Sequence, residues 1–185
     1  MATVAIQAGM RLTLAELQAL PDDGNRYELI DGVLFVTPSP TWGHQGVLGR
    51  LFFLLYPYAR DAGCDAYHAA ADVTFAPATC VQPDLFVIPR RADGLRAQRF
   101  EDVGHLLLTV EAISPSSRVT DRREKRDLYL REGVPVYWIV DGESETVEVW
   151  RPGRDTPDIE RERLELHLPG ATAPLVIPLP ELFRG

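Results

Sequence analysis

The chain has 185 residues, 45% hydrophobic and 25% charged, with a formal net charge of −8 and a pI near 5.0. That length and balance suit one soluble domain spanning 1–185, and no apolar run approaches a membrane span or a signal peptide, so a cytoplasmic protein is expected. The acidic balance argues against strong nonspecific binding to nucleic acid, and Cys64 and Cys80, without CxxC spacing, read as free thiols.

In chain order, residues 1–10 carry no pattern and are expected to be partly disordered. Thr13 to Leu17 reads as a short capped helix ending before Pro21. Arg26–Ile30 and Val33–Val36 flank Asp31-Gly32, the dipeptide that supplies the positive dihedrals of a type I′ turn, so an N-terminal hairpin is expected. A helix follows from about Trp42 to Ala59, with Val47, Leu48, Leu51, Leu55 and Tyr58 as its core stripe and His44 in line with that stripe at its start.

Residues 65–75 can form a strand, best at Asp72–Phe75. Gln82–Ile88 and Leu106–Ile113 are apolar runs of strand length, and residues 90–105 between them read as an exposed connection with at most a short helical turn. Ser114-Pro115-Ser116-Ser117 stops the second run. A helix then starts near Thr120 or Asp121, where Asp121 and Glu124 have capping-box spacing. Asp121, Lys125, Leu128 and Tyr129 share one of its faces. Gly133 marks its end; Val136–Val140 and Thr146–Trp150 read as strands. The C-terminal extension, 151–185, offers an alternating strand over 161–168 and a proline-punctuated tail. A helix between strands over 106–140 reads as a right-handed βαβ unit, which implies an α/β fold with a mixed central sheet flanked by helices.

Three side chains in this plan carry chemistry. Asp84 opens one apolar strand and Glu111 lies inside the other, where an ionised carboxylate needs a cation, a metal or several donors, or else takes up a proton. Lys125 is the only lysine of the chain, all other basic residues being arginine or histidine. A lysine is a compact charge whose pKa burial can tune, which arginine is not. The same trio could serve only as a buried ion cluster tying sheet to helix. Glu28 is either an exposed strand acid or a further acid near the site. His44 is either a satisfied core or capping group or a donor to a phosphate or site carboxylate. Two arginine clusters, Arg90, Arg91, Arg96 and Arg99, then Arg118, Arg122, Arg123 and Arg126, are either local basic patches or solvated faces paired with neighbouring acids.

The ordered series Arg26-Tyr27-Glu28-Leu29-Ile30-Asp31-Gly32, His44-Gln45, Gln82-Pro83-Asp84, Glu111-Ala112-Ile113-Ser114-Pro115-Ser116, Asp121 with Lys125 and Tyr129, and 133–141 resembles the Uma-two family of the PD-(D/E)xK nuclease superfamily. The resemblance covers about residues 12–150 and implies a restriction-endonuclease-like core. It also implies metal-dependent hydrolysis of phosphodiester bonds, with Asp84, Glu111 and the Ala112 carbonyl as ligands of Mg²⁺ or Mn²⁺ and Lys125 as the catalytic lysine. Two departures accompany it. The motif lysine, expected two residues after the acid, is replaced there by Ile113 and migrates to Lys125, and Ala112 stands where valine is more usual. On this reading nucleic acid, DNA above all, is the partner, and a homodimer is expected. A noncatalytic nucleic-acid-binding or assembly module and a hydrolase of small phosphate esters stand as alternatives.

Overall fold

The structure, a computed structural model, describes residues 7–114 and 116–184. Residues 1–6 and Pro115, on which two of the expectations above fall, lie outside the described residues. Gly9 and Met10 are tied to the chain by backbone hydrogen bonds to Leu34, of 2.8 Å each.

Six strands form a mixed sheet in the order β10-β9-β8-β7-β6-β3: β3 (Cys64–His68), β6 (Leu85–Pro89), β7 (Leu108–Ala112), β8 (Tyr137–Asp141), β9 (Thr146–Trp150) and β10 (Asp158–Glu160). Only β7 and β8 run parallel, joined by the helical passage that the sequence suggests. A second sheet, β2-β1-β5-β4, contains β1 (Arg26–Ile30), β2 (Val33–Thr37), β4 (Val73–Ala76) and β5 (Thr79–Val81). The β1–β2 turn has φ of 50° at Asp31 and 80° at Gly32, as a type I′ turn requires.

Side-chain parity divides the core. Leu85 and Val87 of β6 and Leu108 and Val110 of β7 pack on one face with Val47, Leu48, Leu51 and Leu55 of α2 (Trp42–Asp61). Phe86 and Ile88 pack on the other face, with Leu128 and Tyr129 of the second helical passage. That passage is α3 (Arg118–Thr120), a π-helical turn at Asp121–Lys125, and α4 (Arg126–Arg131). The hairpin of β11 (Arg163–Leu166) and β12 (Leu175–Pro178), with α5 (Leu179–Arg184), completes the α2 side, so much of the C-terminal extension contributes to the main core. A smaller cluster joins Leu17 of α1 (Leu14–Gln18) to Leu29 and Leu34.

Three local expectations are corrected. Residues 65–75 make two strands, β3 and β4, which belong to different sheets. The three-residue β5 was not anticipated: it is the short return arm of a tight hairpin with β4, and it joins β1 through Leu29 and Cys80. Asp121 does not cap a helix: it sits within the π turn, buried, and leans toward Lys125. The 90–105 connection contains one short 3-10 turn, Phe100–Asp102, and both cysteines are free and buried. No helix of the described residues is long and apolar enough to cross a membrane.

Candidate active site

The same parity builds the site. β6 and β7 are antiparallel with Leu85 opposite Val110, and continuing that register by one residue sets Asp84 opposite Glu111. Both then face the helical passage, from which Asp121 and Lys125 enter. A cleft of about 210 Å³ opens there, and Arg26, His44, Asp84, Glu111, Asp121 and Lys125 all line it.

Asp84 is well supplied with donors. Arg26 Nη1 lies 2.8 Å from its Oδ1 and His44 Nε2 3.1 Å from its Oδ2, while the Ala112 backbone N–H donates to Oδ2 at 2.9 Å. Burial acts to raise its pKa, but the hydrogen bond from His44 and the charge of Arg26 outweigh it and hold the carboxyl at about 2. Nδ1 of His44 is buried without a hydrogen-bond partner among the described residues.

Glu111 is placed differently. Its Oε1 accepts both Lys125 Nζ at 3.0 Å and the Tyr129 hydroxyl at 2.8 Å, and no hydrogen bond reaches Oε2 among the described residues. Lys125 is shared: Glu28 Oε1 lies 2.8 Å away and Asp121 Oδ1 3.8 Å. Glu28 also accepts the Gln82 backbone N–H at 2.8 Å; it is buried behind the lysine and is not an exposed strand acid. Burial would push Lys125 down, yet Glu111, Glu28 and Asp121 together raise its pKa well above the usual lysine value. Burial raises Glu111 well above the carboxylate range against the pull of Lys125, and burial likewise lifts Asp121 to about 6.

Four buried carboxylates thus surround two fixed cations, Arg26 and Lys125. The excess of negative charge falls on Glu111 and Asp121. No group of three or more His, Cys, Asp or Glu side chains forms a ready metal cage among the described residues. The donor chemistry nonetheless fits a hard divalent cation: Glu111 has an oxygen without a donor, and three donors leave part of the lone-pair capacity of Asp84 unused.

The sequence of the Uma2 family, described as "Putative restriction endonuclease", is matched over residues 14–183. The chain belongs to the Uma2 family. In fold it is similar to a solved structure titled as a "putative nuclease belonging to DUF820" from Anabaena variabilis ATCC 29413, at 23% identity and a TM-score of 0.77, over 94% of this chain and 98% of that one. The restriction-endonuclease-like core suggested by the sequence is therefore the fold of this Uma2 chain. No curated protein matches it.

Of the site residues named from the sequence, Asp84, Glu111, Lys125 and His44 meet at the cleft, with Glu28 behind Lys125. Arg26 as the counterion of Asp84 and Asp121 as a buried fourth acid were not read as site residues. The signal for Arg26 was its place in the hairpin strand that also carries Glu28. The arginine clusters are largely ion-paired: Arg91 with Asp93 and Asp102, Arg126 with Asp127, Arg118 with Glu143, and Arg122 with Glu148.

Proposed function

We propose that this Uma2 protein is a nuclease that hydrolyses phosphodiester bonds, DNA being the favoured substrate, with help from Mg²⁺ or Mn²⁺. The observation that supports this reading is the convergence of Asp84, Glu111 and Lys125, distant in sequence, on one cleft. Asp84 and Glu111, with the Ala112 carbonyl beside them, are the residues that would hold the cation. When bound, such a cation polarises a phosphoryl oxygen and makes water a stronger nucleophile.

The chain's own groups do the rest. Lys125, held as an ammonium by Glu111, Glu28 and Asp121, would offset charge on the phosphoryl oxygens. Glu28 fixes that ammonium from behind. Arg26 and His44 orient Asp84, and either can turn a donor toward a phosphate.

The test is cleavage of DNA and RNA with Mg²⁺ or Mn²⁺, beside Asp84→Asn and Glu111→Gln, with thermal unfolding recorded in parallel. We expect metal-dependent cleavage by the wild type alone. The cation should also stabilise the wild type against thermal unfolding, by about 2.7 kcal/mol at a hundredfold excess over Kd, with little effect on either variant. Cleavage unchanged in both variants would remove the reading. A second reading, a module that binds nucleic acid without cutting it, draws on the protein's own cations already paired with Asp84 and Glu111; it predicts binding with no cleavage under any cation.

A further inference from the structure

The outward face of α2 carries a stripe that the described residues leave bare. Trp42, Gly46, Gly49, Phe53, Tyr56 and Arg60 follow one another by alternating steps of four and three residues, which keeps them in line along the helix, opposite Leu51 and Leu55 of the core. Trp42 is 93% exposed, Phe53 78% and Tyr56 40%. Arg60 ends the stripe, its guanidinium 5.9 Å from the centre of the Tyr56 ring. Between the rings the two glycines leave a notch: a Cβ at Gly49 would meet nothing within 4 Å, and one at Gly46 would meet Arg50 Nη1 at 3.6 Å.

Set antiparallel to a second copy, this stripe is its own complement. Positions 42 and 60, 46 and 56, and 49 and 53 share the midpoint 51, so one two-fold axis at the level of residue 51 satisfies all three pairs. Tyr56 of each copy then meets Gly46 of the other, Phe53 meets Gly49, and the Trp42 indole meets the cation of Arg60. Every bulky ring has a small or complementary group to face.

Charge points to the same partner. No Asp or Glu stands between Trp42 and Arg60, although the chain has 27 acids and a net charge of −8. Two copies that repel over most of their surface can therefore meet along α2, where the two Arg60 side chains would lie about 27 Å apart, beyond the reach of screened repulsion. A nucleic acid or an anionic lipid surface would find one cation at the end of the stripe and nothing more. The three rings expose roughly 400 Å² per copy, about half of the ~800 Å² per partner of a standard interface, and the flanks of a 20-residue helix add to it. An area of that order suits a dimer forming at micromolar concentration.

We infer that this protein dimerises through α2, with the two helices antiparallel about that axis and the rings of each seated in the glycine notch of the other. The inference stands apart from the nuclease reading, since neither cleavage nor its absence bears on it.

Sedimentation equilibrium of the full chain over a wide concentration series, with tryptophan emission read in parallel, tests the packing. The wild type should be a dimer that dissociates on dilution, and the emission should move to the red as Trp42, the one exposed tryptophan of the three, returns to water. Gly49→Phe fills the notch without touching the monomer, so its thermal unfolding should stay cooperative while the dimer weakens roughly tenfold or more. Phe53→Ala should weaken it by a similar factor. Together the two substitutions exchange ring and notch, and the dimer should return to within roughly threefold of the wild type, as coupled partners do. A monomer at every concentration overturns the proposal, as does a dimer that both single variants leave unchanged, which would place the contact elsewhere. Two weakened single variants with no recovery in the pair overturn the antiparallel register. A monomer that co-sediments with phosphatidylcholine vesicles overturns it as well and makes the stripe a membrane contact.

Discussion

Asp84 and Glu111 face each other across adjacent strands, yet the chain moves them in opposite directions. Asp84 has Arg26, His44 and the Ala112 N–H, and sits at a pKa of about 2. Glu111 is as deeply buried but shares Lys125, its one ion-pair partner among the described residues, with Glu28 and Asp121, and is raised well above the carboxylate range. Burial acts the same way on both; the number of donors each acid has to itself decides the sign. One side of the cleft is charge-satisfied by the protein and the other holds unmet negative charge, the side where an added cation gains most.

Removing Lys125 tests that difference hardest. Lys125→Ala leaves Glu28, Glu111 and Asp121 buried with no cation, and breaking a buried pair on one side costs about 3–5 kcal/mol. Urea unfolding should show that loss at pH 7, and it should shrink as the pH falls and Glu111 and Asp121 take up protons. A loss under 1 kcal/mol, on the order of a surface pair, would mean that Lys125 is not the group holding these acids.

Arg26→Ala probes the satisfied side, and a smaller effect is expected. Asp84 keeps His44 and the Ala112 N–H, so the expected cost is about 2–3 kcal/mol. The pH dependence separates it from Lys125→Ala. A depressed acid stabilises the fold above its unfolded pKa near 3.8, and that contribution is lost as the pH falls toward 2. Without Arg26 the Asp84 pKa rises, and acid unfolding should lose this low-pH component.

The outline of this site was legible because strand-length apolar runs and helical spacing are local properties. The two apolar runs put Asp84 at the start of one strand and Glu111 inside the other, and helical spacing put Lys125 with Leu128 and Tyr129, all of which are buried. Arg26 and Asp121 were not legible as site residues for different reasons. The pairing of Arg26 with Asp84 spans 58 residues and depends on how the second sheet docks, which no local pattern encodes. Asp121 followed by Glu124 has the spacing of a cap, and that reading hid the other signal, its i,i+4 place on the buried face of Lys125. β5 was missed for a third reason: a three-residue hairpin arm is too short to carry a periodicity.

Asp121→Asn should give the smallest shift, and the opposite sign. Its pKa is raised from 3.8 to about 6, so between those values the native state binds a proton that the unfolded chain has released. Stability then falls as the pH rises across that window, since it rises with pH only where the unfolded state binds more protons. Asparagine mimics the neutral carboxyl and removes this loss. The variant should match the wild type near pH 4 and exceed it at pH 7 by about 1–2 kcal/mol, taking roughly half of the full linkage because neighbouring acids share the proton. Added Mg²⁺ should narrow the difference, because a cation between the acids relieves in the wild type the same repulsion that the substitution deletes. A variant less stable than the wild type at pH 7 would place Asp121 with Asp84, among the acids whose charge the protein itself satisfies, and would move the unmet charge onto Glu111 alone.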